Sequence, residues 1–362
     1  MLTFERKKTR EVNIGGVRIG NGNPIAVQSM TNTDTHDMEA TLGQVRALAE
    51  AGCDIVRITA PDEESARTFS YLKEHGVTLP LVADIHFNHK IALSCIENGV
   101  DKIRINPGNI GSREGVRAVA EAAGMNGVPI RIGVNSGSLE SHLLKKYGAP
   151  TPEALAESAL YHASLLEEFD FTDIVLSVKA STVSDMIAAN RILAERTDYP
   201  LHLGVTEAGG GDEALVKSSV GIGALLAEGI GDTVRVSLTD DPVKEIYAAR
   251  GILSSLGLLK SPGMDIVSCP TCGRTKIDLI KLTEDFKSRV RAEGLDKINI
   301  KVALMGCAVN GPGEAREADI GIAGGDGEGL LFRRGEIIRK IKEDKLIDEL
   351  IEQIKTFKKI QK

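Results

Sequence analysis

Residues 80–107 read PLVADIHFNHKIALSCIENGVDKIRINP. A β-branched apolar run is followed by a stretch of helical periodicity that stops at Gly99, and a second apolar run opens directly behind it. That is the signature of a strand, a helix closed by glycine, and the next parallel strand. The same pattern extends in both directions. Apolar runs recur at 25–30 (IAVQSM), 54–59 (DIVRIT), 80–86 (PLVADIH), 102–107 (KIRINP), 129–135 (PIRIGVN), 173–179 (DIVLSVK), 200–207 (PLHLGVTE) and 232–239 (DTVRVSLT). Helical segments such as MEATLGQVRALAEAG, REGVRAVAEAAG and PEALAESALYHASLLEEF separate them. Eight β-then-α units predict an α/β fold of the (β/α)8, TIM-barrel type. The long gap after the fifth strand, SLESHLLKKYGAPTPE, predicts an extra helical excursion, and VNIGGVRIG before the first strand predicts a hairpin that plugs the bottom of the barrel.

The chain has 362 residues, long enough for two domains. The barrel is expected over 1–260, a linker over 261–266, and a small α+β domain over 267–362. In the last, a helix is expected around 276–293, strands at 298–304, 319–323 and 330–332, and a final helix whose stripe Ile347, Leu350, Ile351 and Ile354 reads as core packing. The composition, 42% hydrophobic and 26% charged, excludes a disordered chain and a membrane protein. Aromatic residues are 4% with no Trp and the net charge is −7, which argues against a nucleic-acid binder. The start, MLTFERKKTR, has no apolar segment behind it, and a cytoplasmic location is expected. Five cysteines are too few for a disulfide scaffold and read as reduced thiols. Cys53 and Cys95 have apolar surroundings and read as buried small hydrophobes.

Strand parity locates a candidate site. Alternate side chains face opposite sides of a strand, and barrels of this type carry their active sites at the C-terminal end of the inner face. In DIVRIT, Val56 and Ile58 share one face and Arg57 the other. The same reasoning turns Asp84, His86, Arg104, Asn106, Arg131, Asn135, Ser177, Lys179, Arg235 and Ser237 inward, with Glu207 at the end of the seventh strand. Five cations, Arg57, Arg104, Arg131, Lys179 and Arg235, thus converge on one mouth, where they would repel one another without an anion between them. Guanidinium forks and an ammonium match the oxygens of a diphosphate or bisphosphate. The GGGD run at 209–212 can add backbone N–H donors.

The second domain contains SCPTCGR at 268–274 and GCAVNGPGEA at 306–315. Cys269, Cys272 and Cys307 leave two options, a structural zinc with one further ligand or a [4Fe-4S] cluster keeping one iron for a ligand other than cysteine. The turn Asn310-Gly311-Pro312-Gly313 can bring the Glu314 carboxylate back as that ligand, hard and displaceable.

SCPTCGR, MGCAVNGPGEAREADIGIAGG and LFRRGE, behind a barrel carrying VQSMTNTDT, VRIT, VADIHFN, KIRINPGN and RIGVNSGSL, closely resemble the 4-hydroxy-3-methylbut-2-en-1-yl diphosphate synthase family of the non-mevalonate isoprenoid pathway, in its two-domain bacterial form. The resemblance implies an iron-sulfur oxidoreductase that reductively opens 2-C-methyl-D-erythritol 2,4-cyclodiphosphate. It implies a [4Fe-4S] cluster on Cys269, Cys272, Cys307 and Glu314. The five barrel cations would grip the cyclodiphosphate, with Asn106, Asn135, Ser177 and Ser237 as hydrogen-bonding neighbours. Asp84 and His86 would face the substrate, and Glu207 would protonate the departing hydroxyl. Flavodoxin or ferredoxin would donate electrons to a homodimer in which the cluster domain of one subunit closes over the barrel of the other. The competing expectations are a zinc-stabilised barrel hydrolase or lyase acting on a phosphorylated metabolite, an iron-sulfur redox sensor, and a pterin-binding barrel enzyme suggested by VQSMTNTDT.

Overall fold

The computed structural model describes residues 5–180, 182–259, 263–307 and 315–360. It divides into two compact units, residues 1–259 and 260–362.

The first unit opens with the expected hairpin, β1 (Val12–Ile14) and β2 (Val17–Ile19). Eight parallel strands follow: β3 (Ala26–Met30), β4 (Ile55–Thr59), β5 (Leu81–Asp84), β6 (Lys102–Ile105), β7 (Ile130–Asn135), β8 (Ile174–Lys179), β9 (His202–Leu203) and β10 (Thr233–Val234). Each of the eight runs read from the sequence supplies one of them. The sheet runs in sequence order from β8 back to β3 and continues through β10 to β9, and a bridge between Leu176 and Leu201 closes it into a barrel.

Helices α1 (Met38–Glu50), α2 (Arg67–Glu74), α3 (His89–Glu97), α4 (Arg113–Asn126), α5 (Ser141–Tyr147), α6 (Pro152–Glu167), α7 (Val183–Arg196), α8 (Gly211–Ala227) and α9 (Pro242–Ser255) alternate with the strands. Most of these helices begin where the sequence offers a cap. Asn88, Ser112, Thr151, Thr182 and Asp241 each accept a hydrogen bond from a backbone N–H of the first turn of the helix that follows them. Pro152 and Pro242 occupy first-turn positions, where the missing N–H costs nothing. The excursion after the fifth barrel strand contains α5 (Ser141–Tyr147), ahead of α6 (Pro152–Glu167). The hairpin does plug the barrel floor, where Val12, Ile14 and Ile19 pack on the inward side chains Ala26, Ile55, Val82 and Val175. Each such fully buried aliphatic side chain contributes about 1.5–3 kcal/mol. Cys53 and Cys95 are buried in the barrel core, where desolvation pushes both thiols up to about 12.

The second unit has a five-stranded sheet in sequence order: β11 (Met264–Ser268), β12 (Ile300–Met305), β13 (Ile320–Gly324), β14 (Glu328–Arg333) and β15 (Glu336–Lys342). The first three are parallel and the last three antiparallel. α10 (Leu279–Ala292) and α11 (Leu346–Ile360) cover it, and Ile347, Leu350, Ile351 and Ile354 are core residues as expected. Two sequence readings need correction. Residues 264–266, assigned to a linker, form most of β11, an edge strand whose MDIVS is too short and too mixed in polarity to stand out. The strand β15 went unread because EIIRKIK has no clean alternation, its residues being exposed except Ile341.

Candidate functional site

The C-terminal ends of the barrel strands surround a polar pocket of about 180 Å³, lined by Arg57, Asp84, His86, Arg104, Arg131, Gly133, Asn135, Ser177, Lys179, Thr206 and Arg235. All five cations selected by parity line it, with Asp84, His86, Asn135 and Ser177. Asn106 is buried beside the pocket and accepts from the Gly133 N–H at 2.9 Å, so it holds the strand that the pocket uses. Ser237 is half-buried and does not line the pocket. Glu207 lies exposed just past the pocket residue Thr206, with a left-handed backbone (φ 54°).

The cations are held by few counter-charges. Asp84 receives Arg104 Nη1 at 3.2 Å and Arg57 Nε at 3.6 Å. Arg57 also donates to the Met30 sulfur, and Arg104 Nη2 donates to the Gly133 carbonyl at 2.8 Å. Arg235 pairs with Glu245 at 3.3 Å, and Glu245 also accepts from Ser29 Oγ at 2.7 Å and from the Leu238 N–H at 3.1 Å. Arg131 is 1% exposed, and its Nε and Nη1 have no hydrogen-bond partner among the described residues. Five cations therefore face two carboxylates. Burial raises the Asp84 carboxyl, but Arg57, Arg104 and Arg131 overcome that and hold it below the usual range. Burial brings Arg57 down to about 10, and burial with Arg235, Arg57 and Arg131 drives Lys179 well below the ordinary lysine value. A preformed cluster of unbalanced buried cations is a receptor for a multiply charged anion.

Two glycines make the packing possible. A Cβ at Gly133 would overlap the Arg104 guanidinium, and one at Gly204 would lie 2.8 Å from the Arg235 carbonyl and 3.4 Å from Lys179 Cε. The sequence reading missed both, together with Thr206 and Glu245. Parity applied to uncharged residues finds Gly133, Gly204 and Thr206. Nothing in the sequence marks Glu245, because it reaches the site from α9 (Pro242–Ser255) on the outside of the barrel.

In the second unit Cys269 follows β11 and Cys307 follows β12, two neighbouring parallel strands. Their turns are stitched together. The Gly306 N–H donates to Cys269 Sγ at 3.2 Å, and the Lys276 N–H donates to the Gly306 carbonyl at 3.0 Å. The exposed Cys272 thiol is lowered by the backbone N–H of Arg274 and then by its guanidinium, favouring the thiolate. Glu314, the expected fourth ligand, lies outside the described residues, as does the Asn310–Gly313 turn. Among the described residues no three His, Cys, Asp or Glu side chains converge on one point as a single metal ion requires. The donor set, soft thiolates on adjoining turns with an N–H already aimed at sulfur, fits a four-iron cluster, which takes its cysteines on separate irons.

The match to known proteins covers both units. The GcpE TIM-barrel domain matches residues 9–250, and the GcpE protein C-terminal domain matches residues 265–356. This chain belongs to the GcpE family. It is 58% identical over 353 residues to the 4-hydroxy-3-methylbut-2-en-1-yl diphosphate synthase (flavodoxin) of Clostridium perfringens, covering 98% of this chain and 100% of that one. It is 56% identical over 349 residues to the enzyme of the same name from Caldanaerobacter subterraneus, covering 96% and 97%. Of solved structures, 3-dehydroquinate dehydratase from Geobacillus kaustophilus is similar at a TM-score of 0.51 and 15% identity over 70% of this chain and 99% of that chain, which shows the barrel fold alone. No described helix is long and apolar enough to cross a membrane.

Proposed function

We propose that this GcpE-family chain is an iron-sulfur oxidoreductase that opens 2-C-methyl-D-erythritol 2,4-cyclodiphosphate to 4-hydroxy-3-methylbut-2-enyl diphosphate. Two electrons and one net proton enter and one water leaves, the freed phosphate oxygen remaining ionised. The observation that carries the reading is the barrel pocket, with four buried cations and the half-buried Arg235 converging against two carboxylates. A redox sensor has no use for such a grip.

In this reading Arg57, Arg104, Arg131, Lys179 and Arg235 bind the diphosphate, with Asn135 and Ser177 donating from the pocket wall. Asn106 fixes the strand carrying Gly133, and Ser237 acts from just outside the wall. Asp84 holds Arg57 and Arg104 at a fixed spacing, so binding energy becomes orientation of the ring. His86 stands exposed at the rim. Glu207 is the proposed proton donor to the departing hydroxyl, and its exposure just outside the pocket leaves its carboxyl open to proton exchange with water.

Cys269, Cys272, Cys307 and Glu314 would hold the [4Fe-4S] cluster, which when bound supplies electrons one at a time. Flavodoxin, which the names of the relatives carry, is the proposed donor, and ferredoxin is the alternative. The homodimer and the closure of one subunit's barrel by its partner's cluster domain rest on the family resemblance, and a cytoplasmic location on the reading of the cysteines as reduced thiols. Mixing an Arg131→Met protein with a Cys307→Ser protein, at substrate too dilute for the Arg131→Met protein alone, tests the shared site, because only subunits that complement each other regain turnover.

The test of the whole is anaerobic purification, iron and sulfide analysis, and an assay with the cyclodiphosphate and a strong chemical reductant. Product formation is expected, and an iron-loaded protein that makes none overturns the reading.

A further inference from the structure

Beneath the pocket the barrel interior holds a lysine that the proposed mechanism does not use. Lys102 lies on β6, two residues before Arg104 and so on the same inward face. Its register partner is Val82, whose side chain packs on the hairpin plug. Lys102 therefore sits between the apolar floor and the cation layer. It is fully buried, and no described residue accepts a hydrogen bond from its Nζ.

The charges that face this interior are, strand by strand, Arg57 from β4, Asp84 from β5, Arg104 from β6 itself, Arg131 from β7, Lys179 from β8, His202 from β9 and Arg235 beyond β10; β3 contributes the neutral Gln28. Asp84 and Glu245 are already engaged by arginines. An ammonium here would be desolvated, unpaired and repelled from several sides, the combination that a lysine escapes by giving up its proton. Burial and then Arg131 and Arg57 act in that direction. A multiply charged anion in the pocket above would offset that positive field.

We propose that Lys102 is uncharged in the ligand-free protein and takes up one proton when a multiply charged anion fills the cation pocket, so that anion binding and protonation of the barrel floor are a single coupled event. The coupling gives the site a sixth positive charge only when an anion is there to balance it. It also suits the reaction proposed above, on which this clause alone rests. Opening the cyclic diphosphate frees a terminal phosphate oxygen, and the product carries more negative charge than the substrate.

Two other groups compete for the proton: Lys179 in the pocket wall, also held well below the ordinary lysine value, and His202. His202 is fully buried, pairs through Nδ1 with Thr233 Oγ1 at 2.8 Å, and leaves Nε2 without a partner among the described residues. The experiment separates both from Lys102, because uptake at either would survive the loss of Lys102. Iron-loaded protein is titrated calorimetrically with trimetaphosphate, a cyclic trianion that carries no titrating proton near neutrality, in two buffers of different ionisation enthalpy. The wild type is expected to take up about one proton per anion bound. Because binding takes up a proton, affinity should rise as pH falls, about tenfold per pH unit between the ligand-free and ligand-bound ionisations of Lys102.

Lys102→Met and, should that variant fold poorly, Lys102→Gln are expected to bind with no proton uptake and a flat pH profile, while His202→Asn keeps both. Failure of the wild type to bind the trianion, unchanged uptake in the Lys102 variants, or loss of uptake in His202→Asn alone overturns the proposal. A protein that shows the coupling yet does not turn over the cyclodiphosphate breaks the functional reading and leaves the role of Lys102 standing.

Discussion

Arg131 and Cys272 mark opposite extremes among the residues assigned to chemistry. Arg131 is sealed inside the barrel with part of its guanidinium unpaired, whereas Cys272 stands on an exposed turn with its backbone N–H donating to Thr275 Oγ1 at 3.1 Å. The barrel pocket is complete as folded. Its strands, two inward glycines and two carboxylates hold five cations against their own repulsion. The cysteine turns are held to each other by a few backbone bonds, and ligation would complete them. One region holds like-charge repulsion that an anion would relieve, and the other presents thiols that a bound cluster would tie together.

The largest effect that tests this contrast is Cys307→Ser. It is expected to remove the bound iron and at least about 1000-fold of the turnover, while trimetaphosphate affinity stays within about twofold of wild type. Iron analysis beside calorimetry checks it, and a parallel loss of anion binding would mean that the two regions do not act independently.

Next comes Asp84→Asn, which leaves Arg57 and Arg104 without their shared buried counter-ion. A loss of about 3 kcal/mol is expected. The sign of the pH dependence follows from the carboxyl lying lower in the folded than in the unfolded protein. Its stabilisation is fully present above the unfolded value near pH 4 and is lost as pH falls toward the folded one. Denaturant melts of wild type should weaken through that acid range, and those of Asp84→Asn should do so less.

Arg131→Met should raise the KM for the cyclodiphosphate roughly 30-fold, about 2 kcal/mol of lost charge-assisted hydrogen bonding. Because Arg131 is buried among like charges, the same variant should melt at a temperature no lower than wild type, as differential scanning calorimetry would reveal. A lowered melting temperature would show the cation cluster to be structural. Smallest of all, Cys53→Ala and Cys95→Ala should each cost about 1 kcal/mol and leave iron content and turnover unchanged.

Much of this was legible in the sequence. The β-branched runs and intervening helical periods placed every barrel strand. Parity alone brought Arg57, Arg104, Arg131, Lys179 and Arg235 to one mouth, because a strand's period of two is a local property. Local pattern failed at β11 and β15, edge strands with mixed polarity, where pairing to a neighbour supplies the order. It also failed at Ser237 and Asn106, inward by parity yet not lining the pocket. Ser237 lies beyond the last paired residue of β10, and the Asn106 side chain turns to the Gly133 N–H.

The sequence by itself determined the succession of barrel elements and the facing of the cations, both set by spacing along the chain. Tertiary structure alone decided which carboxylates answer those cations, that Glu245 enters from an outer helix, and that Lys102 lies unpartnered on the barrel floor. Those outcomes depend on which side chains meet across a closed barrel, and the energy of a buried charge depends on all of its neighbours at once.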